Sequence, residues 1–334
     1  MNLRSGLVAT ALAGLALAGC TPEPKEPETT VVPVQPPAPP APDFNTDSAY
    51  AFVAEQVAFG PRVPGSKAHK ACGDRLVAKL EGYGAKVIQQ TGTVTAYNGQ
   101  PVPLRNIIAS WRPEAKERLL LMAHWDTRPF ADKDTQRQSD PIDGANDGAS
   151  GVGIWLEVAR HLNDLPSGMG IDLFLTDVED MGEPNGAMGA DAGNSIKSWC
   201  LGSQYWVKNP HVPGYKARYG ILLDMVGANG SVFPREAWSM RYASAVVNKV
   251  WRKAADLGFG DRFPLDVQQH VGIDDHVIVN QGLNIPCIDI IAYDENTRAF
   301  PKSWHTHADN MQDISKETLE AVGTTVLNVV WSER

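Results

Sequence analysis

The chain is short of cysteine, of net positive charge and of long apolar runs, and each shortage removes a class of function. Four cysteines in 334 residues are too few for a disulfide-stapled scaffold, and none has zinc-like Cys spacing. Lysine and arginine number 30 against 39 aspartates and glutamates, a net charge of −9. No basic stripe with interleaved aromatics occurs, so a general nucleic-acid binder is not expected. No apolar run reaches the roughly 20 residues that span a bilayer. A nucleotide site is missing too. "GANDGASGVG", residues 144–153, has the glycines of a phosphate loop. It lacks the Lys-Ser/Thr of a P-loop, follows no strand directly and breaks the GxGxxG order.

What is present begins at the N-terminus. "MNLRSG" supplies a positive residue, "LVATALAGLALAG" is a short apolar run, and Cys20 follows directly. That is the pattern of a secretory signal, too short to remain as a span. The ending "LAGC" resembles a bacterial lipoprotein box, whose cysteine is lipidated and becomes the mature N-terminus. The bland alternative is a cleaved signal beside a chance cysteine. Residues 21–43 are proline-dense with almost no large apolar groups, which makes an extended tether rather than a core. The expected divisions are a signal peptide over 1–19, a lipidated Cys20 with its Pro-rich tether over 20–43, and a folded domain over 44–334. Stable attachment would need more than one acyl chain. Thr21, where an aspartate would mark inner-membrane retention in enterobacterial sorting, points to the outer membrane of a bacterial cell envelope, facing the periplasm. With Cys20 used as an anchor, Cys72, Cys200 and Cys287 remain. Their pairing is left open, although buried small hydrophobes are the better reading.

From residue 44 helical and strand patterns alternate. "TDSAYAFVAEQVAFG" and "SKAHKACGDRLVAKLEGYG" each carry polar N-cap candidates, apolar residues at helical spacing and a terminating glycine. "AKVIQQTGTVTAYNGQPVPLRNIIASW" reads as a hairpin turning at "YNGQ". "RLLLMAH" is a continuous apolar run, the type expected of a strand covered on both faces. Strands are also expected in "GIDLFLTDVED", "RYGILLDMVG" and "IPCIDIIAY". Helices are expected in "GASGVGIWLEVARHL", "SWCLGSQYWVKN", "MRYASAVVNKVWRKAADLG" and "SKETLEAVGTTVLNVVW". The alternation predicts a single α/β domain with a mixed, mainly parallel central sheet flanked by helices.

The interesting polar groups fall at or beyond the C-terminal ends of these strands, where ligands of open α/β sheets gather. His124 and Asp126 follow "LLLMA", Glu179 and Asp180 follow "IDLFLTDV", and Asp224 ends "GILLD". Asp147 alone would be an ordinary helix cap. Glu179 beside Asp180 would alone be a solvated turn. Together they permit one acid to bind a metal while its neighbour moves protons. "WHTHADN" gives two loop histidines, His305 and His307. One histidine with two carboxylates is a common zinc set, whereas a loop histidine alone would be an exposed surface residue. Asp274 and Asp275 in "GIDDH" also fit simple capping of a helix.

Across residues 50–334 the ordered motifs "VAFGPRVPGS", "AHWDTRPFAD", "DGANDGASGVG", "DVED", "LLDMVGA", "GIDDH" and "WHTHADN" resemble the zinc aminopeptidase-like family. Within it they are most similar to the bacterial glutaminyl-peptide cyclotransferases. The resemblance implies that 44–334 is a zinc-dependent catalytic domain, with one zinc per chain held by Asp147, Asp180 and His305. It implies Glu179 as proton shuttle, Asp224 and Asp274 as a hydrogen-bonded acidic pair near the substrate's amino group, and Trp304 as a pocket wall. The implied substrates are peptides or proteins with N-terminal glutamine. The chain departs from animal members in reading Glu179-Asp180 where they have Glu-Glu, and in lacking their tryptophan soon after. That leaves one wall open to Trp206 or Trp125, and Glu183 is a second candidate ligand. His307 has no counterpart and is expected on the surface. The nearest rival is a two-zinc aminopeptidase of the same fold, using His124, Asp147, Asp224, Asp180 and His305. Such enzymes usually have serine where this chain has Asp274. A catalytically silent, surface-anchored binding protein is the third reading, and no ligand or shuttle has been lost to favour it.

Overall fold

The apolar run at Arg118–His124 forms β3, and all of its residues are buried. Successive side chains of a strand leave on opposite faces, and here each face meets a different core. Leu119, Leu121 and Ala123 join the larger apolar cluster, while Leu120 and Met122 join the smaller one with Phe174, Trp206 and Val279. Truncating a side chain such as Leu120 to alanine would cost about 2–5 kcal/mol in such a setting. The structure is a computed structural model describing residues 39–184, 197–266, 268–294 and 296–334. The expected signal peptide, Cys20 and nearly all of the tether lie outside the described residues.

Ordered along the chain are α1 (Thr46–Val57), α2 (Lys67–Gly82), β1 (Lys86–Thr95), β2 (Pro101–Trp111), β3, α3 (Ala149–Ala159) and β4 (Gly170–Thr176). There follow α4 (Leu201–Lys208), β5 (Tyr219–Asp224), β6 (Arg235–Glu236), α5 (Ala237–Asp256), β7 (Gln268–Gln269), α6 (Asp275–Leu283), β8 (Cys287–Ile291) and α7 (Lys316–Ser332). The main sheet runs β1-β2-β4-β3-β5-β8. β4, β3, β5 and β8 are mutually parallel. β2 is antiparallel to β1 and to β4. This is the mixed, mainly parallel sheet of the sequence reading. The hairpin closes at Ala96–Gln100.

Polar caps start the first two helices as the sequence suggests. The Asn45 side chain accepts from the Ser48 backbone N–H, and Ser66 accepts from His69. Residues of α1, α2, α3, α5 and α7 pack into the larger cluster, and those of α4 and α6 into the smaller. Helices therefore cover both faces. Parallel strands then present their C-terminal ends along one edge. His124 ends β3 and Asp224 ends β5.

Candidate active site

Beyond β4 the chain turns sharply through Asp177, Val178, Glu179 and Asp180. Val178 has φ +56°, a left-handed conformation that is costly for a β-branched residue and needs outside support. Buried acids provide it. Asp126 accepts the backbone N–H of Glu179 and of Asp180, each at 3.2 Å. Asp177 accepts from Arg105 and Val178 backbone N–H groups and meets His69 Nε2 at 2.9 Å. Glu179 and Asp180 consequently line the same cavity.

The glycine-rich stretch delivers Asp147 to that cavity. Gly148, not Asp147, occupies the N-cap position of α3, and no side chain caps it. At φ +96° a Cβ on Gly148 would lie 2.8 Å from the Asp126 carbonyl oxygen and 3.0 Å from His124 Cε1, so only glycine fits. Asp309 accepts the backbone N–H of Asn146 at 2.6 Å and of Asp147 at 3.1 Å. The Asp147 carboxylate is left facing two imidazoles, 3.0 Å from His124 Nε2 and 3.7 Å from His305 Nε2.

Asp147, Asp180 and His305 each offer a donor atom within 4.8 Å of the other two. Donors around tetrahedral zinc stand about 3.3 Å apart, given bonds of about 2 Å. His305 Nε2 lies 3.2 Å from Asp180 Oδ1. Asp180 Oδ2 is buried without a partner, a costly state for a carboxylate that a bound cation relieves. These residues fit a zinc ion. His124, Asp147 and Asp224 form a second such group, also within 4.8 Å.

The expected hydrogen bond between Asp224 and Asp274 is not formed. Asp224 Oδ1 meets His124 Nε2 at 3.2 Å, because parallel β3 and β5 end side by side. Asp274 is the N-cap of α6 and turns its carboxylate onto the Asp275 N–H. Behind it stand His276 and Asp289, each with an atom within 4.8 Å of Asp274. Asp289 is an acid buried inside the apolar strand β8. The two acids still influence each other electrostatically. Burial, then the Asp224 charge, pushes Asp274 well above the carboxylate range. Burial also raises Asp224, against the hydrogen bond from His124.

Glu179 faces Asp274. One oxygen of each lies within 4.8 Å of the other and of Cys200 Sγ. Burial holds the Glu179 carboxyl well above its ordinary pKa, with the Asp274 charge adding to it and His124 opposing.

Trp304 stacks on the His305 ring at 4.0 Å between centroids. Trp199 also stacks on His305, at 6.0 Å and 7°, and both indoles line the cavity. Trp199 is the wall that the sequence reading missed. Trp206 instead packs on Phe174 in the core, and Trp125 stacks on His69. Room for Trp199 comes from Gly182, where a Cβ would overlap the indole at 1.8 Å. The only sequence signal was an aromatic in "SWCLG". Glu183 is exposed and belongs to no metal-competent group among the described residues. His307 is half-buried rather than a free surface residue, with its backbone N–H and Nδ1 both bonded to Asp134. Cys72, Cys200 and Cys287 are all buried free thiols.

The family model for Peptidase family M28 matches residues 106–330. The chain belongs to that family. Its solved structural neighbours include bacterial glutaminyl cyclases. One, from Bacteroides thetaiotaomicron and bound to N-acetylhistamine, is 50% identical, with TM-score 0.83 over 88% of this chain and 100% of that one. Another, from Porphyromonas gingivalis, is 52% identical, with TM-score 0.80 over 85% of this chain and 96% of that one. A third neighbour, from B. thetaiotaomicron VPI-5482, is described as a leucine aminopeptidase precursor. It is 49% identical, with TM-score 0.82 over 88% and 99% of the two chains.

Proposed function

We propose that this M28 protein is a zinc-dependent glutaminyl-peptide cyclotransferase, an acyltransferase that converts N-terminal glutamine to pyroglutamate and releases ammonia. The observation that carries the reading is the pair Glu179 and Asp274, facing each other within 4.8 Å beside the Asp147, Asp180 and His305 group. Peptide hydrolysis at a metal needs one general base. Attack by a substrate's own amine also needs a group to hold that amine, and a second acid suits the task. Identity of 50–52% to bacterial glutaminyl cyclases, over 85–88% of this chain, supports the same reading.

One zinc per chain, held by Asp147, Asp180 and His305, would supply Lewis-acid polarisation of the side-chain amide. The protein's own groups do the rest. Asp274 holds the α-amine, and Glu179 accepts its proton as nitrogen attacks the side-chain carbonyl carbon. Glu179 then returns that proton to the amide nitrogen, which leaves as ammonia while the five-membered lactam closes. Because the attack is intramolecular, orientation supplies much of the rate. Trp199 and Trp304 keep water from competing with the amine.

Asp274→Ala tests this assignment. Cyclisation should be lost with zinc content unchanged, and Asp274→Asn should fold normally yet remain severely slowed. Cyclisation by Asp274→Ala at the normal rate contradicts it.

A second reading rests on a specific observation. His124, Asp147 and Asp224 form another metal-competent group, as a two-zinc aminopeptidase requires. Two zinc equivalents in active protein would favour it.

The chemistry of the N-terminus supports a place for the enzyme. A lipid on Cys20 would anchor it in the bacterial envelope, at the outer membrane facing the periplasm, with residues 21–43 as a tether. No described helix is long and apolar enough to cross a membrane. Cys20→Ala should move the protein from the membrane to the soluble fraction. A mature N-terminus found elsewhere and unmodified would rule the anchor out.

A further inference from the structure

The motif "DTRPFAD" lies beside the site, and neither its Arg128 nor its Asp132 has a part in the proposed chemistry. Arg128 is fully buried, a position that charged side chains take only when paired. Its guanidinium grips Asp132 with two bonds, Nε to Oδ1 at 2.7 Å and Nη2 to Oδ2 at 3.1 Å. Nη1 reaches the Asp180 carbonyl oxygen and Asp180 Oδ1, both at 3.2 Å. Aromatic rings hold the guanidinium in place: Phe130 at 4.4 Å and Trp199 at 4.8 Å from its carbon. Asp132 Oδ1 in turn lies 3.3 Å from His305 Nδ1.

We infer that Arg128 and Asp132 form a positioning unit that holds two of the three zinc ligands in place before the metal arrives. The Asp132 carboxylate, 3.3 Å from Nδ1 of His305, favours the tautomer that keeps the proton on Nδ1, which leaves the Nε2 lone pair facing the cavity. Partners of this kind fix the tautomer and ring angle of a ligand histidine. Arg128 Nη1 engages Asp180 Oδ1, the oxygen 3.2 Å from His305 Nε2, and so holds the Asp180 carboxylate beside that imidazole. The planar fork of arginine grips a carboxylate bidentately and still presents a further N–H to a second acceptor, a fixed geometry that the point charge of lysine does not supply. His305 has φ +57°, a strained backbone that this grip helps to maintain. The inference rests on the assignment of Asp147, Asp180 and His305 as zinc ligands.

Zinc titration of metal-free protein tests it, with Zn2+ alone as the probe and calorimetry as the readout. Asp132→Ala should weaken zinc binding about 10–100-fold. Because it also unpairs the buried Arg128, it lowers the Tm of the metal-free protein, and affinity is read at a temperature where circular dichroism shows the variant folded. Asp132→Asn should fall between, since its oxygen still accepts from Nδ1. If Asp132→Ala fails to fold, Asp132→Asn is read alone, and wild-type affinity there contradicts the unit. Wild-type affinity in Asp132→Ala contradicts it directly. A wild-type protein that binds no zinc would overturn the ligand assignment itself, a result distinct from either.

Discussion

Cys200 Sγ lies 3.3 Å from Oε1 of Glu179, so the group proposed to move protons rests against a thiol. The thiol is fully buried, and burial, followed by the neighbouring carboxylates, raises its pKa well above normal. It therefore stays protonated and can donate. Removing such a bond costs about 1 kcal/mol, which is roughly five- to tenfold in rate. Cys200→Ala should lower kcat by that amount and leave KM near normal, while Cys200→Ser keeps a donor and most of the rate. Equal kcat in Cys200→Ala and wild type would remove the thiol from the account.

Glu179 and Asp180 are neighbours with separate assignments, and substitution should separate them. Glu179→Gln should keep its zinc and lose about 10²–10⁴-fold in rate. Asp180→Ala should lose the metal. Metal analysis with the opposite pattern would exchange the two roles.

Trp199 and Gly182 should behave as one feature. Trp199→Ala removes a stacking partner of His305 and should lower kcat/KM by up to about tenfold, with Trp199→Phe less affected. Gly182→Ala should act similarly by displacing the indole. Normal kcat/KM in both alanine variants would show that this wall is dispensable.

Stability should depend on pH through Asp275. This acid is fully buried, accepts a hydrogen bond from Thr176 and is raised from 3.8 to about 6, chiefly by burial. A raised folded-state pKa means the folded protein binds its proton more tightly than the unfolded chain. The contribution is fully present below the unfolded value and is lost as pH rises through about 6. Relative to wild type, metal-free Asp275→Asn should therefore gain in Tm between pH 4 and pH 7.5. A Tm difference that is flat with pH contradicts this.

Much of the fold was legible because the runs around Leu121, Leu173 and Leu223 are continuous and apolar, as strands buried on both faces must be. Their ends located Asp180 and Asp224, and the glycines marked Asp147. Other features depended on contacts that local pattern does not encode. Trp199 reaches His305 across Gly182. Asp289 is concealed in an apolar strand, and Arg128 acts through space on Asp132 and Asp180. The partner of Asp224 was misread for a related reason. The resemblance implied Asp274, but strand order puts His124 beside Asp224.

The most direct test supplies purified protein with a glutamine-initiated peptide and, separately, with leucine anilide, and counts zinc in the same preparation. The account predicts one ammonia released per peptide cyclised, one zinc per chain and no free anilide. Rapid release of leucine by protein carrying two zinc ions, with no ammonia from the glutamine peptide, would contradict it.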